Sequence, residues 1–124
     1  MSDKVIDASA LAALAFAEPS ADAIIDQIDG HRLHAPTLVV FELMNVAWKR
    51  AKKQPAATAL FVEAIEVLEG LGLCFRGIDQ AEVVRLGLAT GLTTYDATYL
   101  WLARALGIPL VTLDKTLGAH ANNL

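Results

Sequence analysis

The chain has one cysteine in 124 residues, Cys74, so neither a disulfide framework nor a cysteine-based zinc site can form within it. Set in the apolar run LGLCF, that thiol is expected to be buried. Charge is also sparse. Asp, Glu, Lys and Arg make up 19% of the residues, and a net charge of −4 excludes a protein that holds nucleic acid through overall basicity. No apolar run reaches the ~18 residues of a membrane span. The best, residues 8–17, is too short, and Asp3 and Asp7 ahead of it are the wrong charge for a secretory leader, so a cytoplasmic protein without membrane contact is expected. The four prolines and eight glycines are scattered as punctuation, with no repeat, linker or low-complexity tract. Hydrophobic residues are abundant at 55%, enough for a sizeable core in one domain over residues 1–124.

That punctuation cuts the chain into short apolar runs alternating with helical stretches. A strand over 4–6 ends at Asp7 and runs into ASALAALAFAE, a helix by propensity, stopped by Pro19. Ser20 or Asp22 caps a second helix to 29, closed by Gly30. A strand over 33–35 precedes LVVFELMNVAWKRAKK, opened by Thr37. That helix is apolar nearly all round until Trp48 and basic at its end, so it is expected to start buried and emerge into solvent. Pro55 suits the first turn of a helix to about 69. Then come a strand over 73–76, an Asp79-capped helix to about 89, and a helix from Thr93 or Thr94 to 106, closed by Gly107. A strand over 109–113 and a helix over 114–121 finish the chain. Strands alternating with helices predict an α/β fold with parallel pairing under right-handed crossovers.

Four acids stand in apolar sequence instead of on a charged face: Asp7 in VIDAS, Glu42 in VVFELMN, Asp96 in TTYDATYLW and Asp114 in LVTLD. Asp7 and Asp114 each follow a strand, which puts them at the carboxyl edge of a parallel sheet, where the active sites of open α/β folds collect. Asp96 falls in the first turn of a helix, a position that also faces that edge. Each has a structural alternative. Asp7 and Asp114 also fit helix N-caps, and Thr93 with Asp96 fits a capping box. Glu42 has no capping job; its alternative is a partly exposed stripe shared with Asn45 and Lys49. If the four converge, mutual repulsion raises their pKa values unless a divalent cation sits among them. Oxygen-only ligands point to Mg²⁺ or Mn²⁺ over zinc. Such an ion polarises a phosphoryl oxygen and lowers the pKa of its bound water, which makes phosphodiester hydrolysis the natural reaction.

VIDASAL, FELMNVAWK, GLTTYDATYLWLA and PLVTLDKTL, in this order and spacing across essentially the whole chain, resemble the PIN-domain ribonucleases, most closely the VapC-type toxins of bacterial toxin–antitoxin pairs. The resemblance implies a three-layer α/β/α fold on a four- to five-stranded parallel sheet. It implies that Asp7, Glu42, Asp96 and Asp114 bind Mg²⁺ or Mn²⁺ and catalyse endonucleolytic RNA cleavage. Ser9 and Thr112 match the hydroxyl positions of the D-x-S and T-x-D signatures, and with Asn45, one turn after Glu42, they are expected to support the site. A homodimer and a VapB-like antitoxin whose tail lies across the acidic groove are also implied. Two departures matter. Relatives often continue past the last helix into an edge strand where AHANNL stands here, and some carry another acid soon after the position of Asp114. Residues 115–118 supply none, so a single ion is expected.

Lys49, Arg50, Lys52 and Lys53 form the densest basic cluster, read either as an RNA-backbone contact or as a solvated helix end favoured by the dipole. Trp48 and Trp101 read as core or dimer-interface residues. Two other function classes compete. A receiver-like phosphoacceptor would want paired acids after the first strand and a strand-end Asp in mid-chain, both missing here. A catalytically inactive PIN fold that only binds RNA or protein is the other, and metal-dependent RNA cleavage separates it from a nuclease.

Overall fold

In the computed structural model, which describes residues 2–122, the chain runs β1 (Asp3–Ile6), α1 (Ala8–Ala15), α2 (Ala21–Ile28), β2 (Arg32–Ala35), α3 (Leu38–Lys53), α4 (Thr58–Glu69), β3 (Cys74–Phe75), α5 (Gln80–Thr90), α6 (Thr94–Leu106), β4 (Leu110–Val111) and α7 (Lys115–Asn122). The strands do not alternate apolar with polar residues because the sheet is covered on both sides; Val5 with Ile6 and Leu33 through Ala35 are buried in succession. All pairing is parallel, in the order β3-β2-β1-β4, with Val5 opposite His34 and Leu110, and Ile6 opposite Val111. Helices α1 to α4 pack against one another, as do α5, α6 and α7, giving the expected three-layer α/β arrangement. Leu11, Ile24, Val39, Tyr99, Leu100, Leu102, Val111 and Leu117 fill the core between them.

The strand order fixes where chemistry can happen. β2 and β3 are added on one side of β1 and β4 on the other, so the order reverses at β1, and the carboxyl ends of β1 and β4 lie at the kind of switch point where open parallel sheets bind ligands. Helix ends are set by local chemistry. Asp7 caps α1 by accepting from the Ala10 N–H at 3.0 Å, Asp79 caps α5 at Glu82 N (3.1 Å), and Thr93 caps α6 at Asp96 N (3.2 Å). Gly107 closes α6 at a φ of 67°, a left-handed turn that a side chain would strain.

Several sequence expectations are corrected. Ser20 and Thr37 make no side-chain capping bond, and Pro55 opens a single 3₁₀ turn (Pro55–Ala57) ahead of α4. The last two strands are shorter than the apolar runs that suggested them. Pro109 has no N–H to give the ladder. Beyond Val111, side-chain hydroxyls replace ladder partners: Leu113 N donates to Ser9 Oγ at 2.9 Å and Asp114 N to Thr112 Oγ1 at 3.0 Å. Helix α3 does not begin buried. It is one-sided from its first turn, with Val39 and Leu43 inside and Val40, Phe41 and Met44 exposed. Trp48 on that helix is outside the core at 56% exposure, under the Lys52 ammonium, whereas Trp101 is half-buried and donates to Glu82 Oε2 at 2.7 Å. Cys74 is only half-buried because β3 is an edge strand. The sheet has four strands among the described residues, and a further strand after α7 would lie outside them.

Helices α5 and α6 approach closely at Gly87, where an added Cβ would stand 3.1 Å from the Leu92 carbonyl oxygen and 3.8 Å from the Ala97 and Thr94 side chains. Gly87→Val is therefore expected to cost about 1–3 kcal/mol through overpacking, read as a lower urea midpoint with an unchanged m-value.

Candidate active site

Asp7 leaves β1 at the switch point and is 4% exposed. A carboxylate buried there needs partners, and the chain supplies them from the first turn of α1 and from the segment after β4. Ser9 Oγ donates to Oδ1 at 2.7 Å, the Ala10 N–H to the same oxygen, and Thr112 Oγ1, just past β4, to Oδ2. The two hydroxyls stand 3.4 Å apart and together tie the β1–α1 turn to the end of β4. The capping and site readings of Asp7 thus coexist: one oxygen caps α1 while both are locked in place.

The other three acids approach from separate elements. Glu42 is half-buried in the second turn of α3, Asp96 half-buried in the first turn of α6, and Asp114 exposed at the start of α7, where its Oδ1 accepts from Leu117 N at 2.9 Å. Tyr99, one turn beyond Asp96 and 1% exposed, donates its hydroxyl to Glu42 Oε1, linking α6 to α3. Sequence reasoning missed Tyr99. Its spacing of three residues from Asp96 was the available signal, masked by the apolar neighbours Leu100 and Leu102.

The acids act on one another. Burial raises the Asp7 carboxyl above its ordinary value, and the Asp114 charge adds to this, opposed by the bonds from Thr112, Ser9 and Ala10. Burial likewise raises Glu42, opposed by the Tyr99 hydroxyl and reinforced by the charges of Asp96 and Asp7. Asp96 is raised by burial and then by Asp114 and Asp7. Burial and the Glu42 carboxylate push the Tyr99 phenol strongly up, so it stays a donor. No cationic side chain figures among these influences. The four acids therefore form one electrostatic group that lacks a counter-charge.

A hard divalent cation fits this donor set: oxygen ligands only, three of them raised by burial and by neighbouring acids, with no lysine, arginine or histidine of the described residues paired with them. The acids are neighbours and not a closed cage, for among the described residues no three of His, Cys, Asp and Glu are gathered tightly enough to enclose an ion. Ser9 and Thr112 stand where expected. Asn45 does not: it is exposed on α3 and makes no hydrogen bond among the described residues. Of the basic cluster, Lys49, Lys52 and Lys53 are exposed, whereas the Arg50 guanidinium is engaged within the chain, paired with Glu18 and lying 4.7 Å from the Phe16 ring centre.

Comparison with known proteins identifies the family. The PIN domain family profile matches residues 4–122. Two relatives from Pyrobaculum aerophilum are ribonuclease VapC3, 36% identical over 123 residues (91% of this chain, 90% of the relative), and exonuclease VapC9, 33% identical over 118 residues (91% and 81%). The crystal structure of PAE2754 from the same organism superposes with a TM-score of 0.80 at 30% identity, covering 97% of this chain and 85% of that one. The chain belongs to the PIN domain family. Within it, these relatives place the chain beside the VapC proteins.

The raised carboxyls have a consequence for stability. A native pKa above the unfolded one means that the folded chain binds the proton more tightly, so stability falls as pH rises from the ordinary Asp value of 3.8 through the raised native value. Without divalent cations, urea unfolding is expected to show Asp7→Asn gaining stability relative to the wild type as pH rises from about 4 towards neutrality; a difference that does not change with pH contradicts the raised carboxyl.

Proposed function

We propose that this chain is a metal-dependent endoribonuclease of the VapC type, one PIN domain over residues 1–124, hydrolysing RNA phosphodiester bonds as the toxin of a toxin–antitoxin pair. The observation that carries this reading is the electrostatic coupling of acids from separate elements near the sheet's switch point: the charge of Asp114 raises Asp7 and Asp96, and those of Asp96 and Asp7 raise Glu42, with no cationic side chain among the influences. The ribonuclease and exonuclease names of the relatives support it. Nothing favours the binding-only or receiver-like alternatives.

In this reading Asp7, Glu42, Asp96 and Asp114 hold Mg²⁺ or Mn²⁺. When bound, the ion supplies polarisation of a phosphoryl oxygen and a water of lowered pKa. The chain's own contribution is pre-organisation. Ser9, Ala10 N and Thr112 take lone pairs on both Asp7 oxygens and fix that carboxylate in one orientation. Tyr99 does the same for Glu42 while keeping its own proton. Outer partners of this kind orient ligands and tune their basicity. Burial of Asp7 and Tyr99 keeps bulk water from the inner side of the site, where charge interactions are stronger.

The reading extends to partners and place. Lys49, Lys52 and Lys53, exposed at the end of α3, suit the RNA backbone. The exposed face of α3, with Val40, Phe41, Met44 and Trp48, suits a homodimer contact or a VapB-like antitoxin. The reading takes the protein to be cytoplasmic; no helix among the described residues is long and apolar enough to cross a membrane.

Purified chain is expected to cleave single-stranded RNA with Mg²⁺ or Mn²⁺ and not with excess EDTA. Asp7→Asn and Asp96→Asn are expected to lower the rate by ~100-fold or more while the far-UV spectrum is kept; cleavage that persists in either variant removes that carboxylate from the mechanism. Tyr99→Phe is expected to weaken activity or metal affinity by about 10–100-fold, recovered in part at higher Mn²⁺. Kinetics indistinguishable from wild type would make Tyr99 a packing residue only.

A further inference from the structure

The sheet edge that carries the acids also carries a second, open concavity of about 540 Å³, bounded by the start of α3, the segment after β3, and the first turns of α5 and α6. None of the four acids lines it, but two of the helices that bound it, α3 and α6, are those that carry Glu42 and Asp96. Tyr95 precedes Asp96 on α6, Thr98 stands between Asp96 and Tyr99, and Thr37 opens the helix that carries Glu42. Two exposed aromatic side chains line this groove, Tyr95 at 62% exposure and Phe75 at 50%. Exposed aromatics beside a catalytic group call for a reason, because each forfeits the burial that aromatic side chains gain in a core.

Arg76 is the one lysine or arginine lining the groove, and it is anchored twice. Its backbone N–H donates to the Ala35 carbonyl at 3.0 Å, and its Nε donates to Nδ1 of His34 at 3.1 Å. His34 is 2% exposed. Because Nδ1 accepts, the imidazole proton sits on Nε2, which has no hydrogen-bond partner and stands 3.5 Å from Asp3 Oδ1. A buried histidine thus gives its acceptor to Arg76 and steadies the guanidinium. The terminal N–H groups of Arg76 make no hydrogen bond among the described residues. An anchored, exposed arginine lining one groove with two exposed aromatics has the makings of a nucleotide platform: bases stack on aromatic faces, and guanidinium pairs with phosphate.

We infer that this groove binds the nucleotide next to the scissile phosphate of a single-stranded RNA, with its base stacked on Tyr95 and Phe75 and its phosphate on Arg76, an inference that rests on the nuclease reading above. Charge complementarity favours this occupant. A chain of net charge −4 needs a local cation to draw a polyanion, and Arg76 is the one lysine or arginine that lines this groove. His34 is a positioning residue for that arginine.

The test is steady-state cleavage of a fluorescent single-stranded RNA with Mn²⁺ by the wild type, Tyr95→Ala, Tyr95→Phe and Arg76→Ala. Tyr95→Ala is expected to raise KM about 10-fold with kcat within about 2-fold, and Tyr95→Phe to restore KM, because the ring and not the hydroxyl stacks. Arg76→Ala is expected to reduce the salt slope of log KM by about 0.7, the loss of one phosphate contact on a single strand. Unchanged KM together with an unchanged salt slope overturns the inference. If the wild type cleaves no RNA, the nuclease reading fails on its own. RNA binding by anisotropy then decides the groove: weaker binding by Tyr95→Ala and Arg76→Ala upholds it, and equal Kd values overturn it. Loss of self-association on a sizing column with RNA binding unchanged assigns the groove to a second copy of the chain and also overturns it.

Discussion

Like charges held close in a poorly solvated place set the terms for the rest of this molecule. Asp7 is almost fully buried and Glu42 and Asp96 are half so, and all three carboxyls are raised by burial and by neighbouring acids, Asp114 among them, without a compensating cationic side chain among the influences. Such a group is unfavourable for folding by itself, because each carboxylate loses hydration and gains a neighbour of the same sign. The fold tolerates it through placement. A parallel sheet whose order reverses at β1 has its switch point there, and side chains from sequence positions more than a hundred residues apart meet at that carboxyl edge, as Asp7 and Thr112 do.

Hydroxyl groups do much of the holding. Ser9, Thr112 and Tyr99 each donate to a carboxylate of the group, and the first two also accept from backbone N–H groups beyond β4. One set of bonds therefore fixes Asp7 and ends the strand beside it. This explains why β4 is only two residues long although the run around it is apolar through Leu113. A longer strand would claim for the ladder the backbone groups that now turn the chain into α7 and bring Asp114 to the same edge.

Much of this was legible in sequence, for physical reasons that also mark the boundary. Asp7 and Asp114 announce themselves because an acid immediately after an apolar strand of a parallel sheet has few places to go but the carboxyl edge. Glu42 stands out because nothing local pairs with it. The α/β class follows from the alternation of short apolar runs with helices. Tyr99 was not legible: a tyrosine among leucines reads as core, and core it is, apart from one hydroxyl whose partner lies 57 positions away. The exposure of Trp48 and of the α3 face was hidden for a related reason, since a helix apolar nearly all round does not say which side the protein covers. Arg50 looked like one of four equivalent basic residues until Glu18 and Phe16 were found against it.

The central claim is that these four acids behave as one site that takes a divalent cation. The most direct measurement is the thermal shift produced by Mg²⁺ or Mn²⁺ near neutral pH, wild type against Asp7→Asn and Asp96→Asn. At a metal concentration about 100 times Kd, linkage gives roughly 2.7 kcal/mol of stabilisation, a rise in Tm of several degrees. That rise is expected in the wild type and lost in both variants. A wild type that melts at the same temperature with and without metal, or variants that gain as much as it does, would contradict the claim.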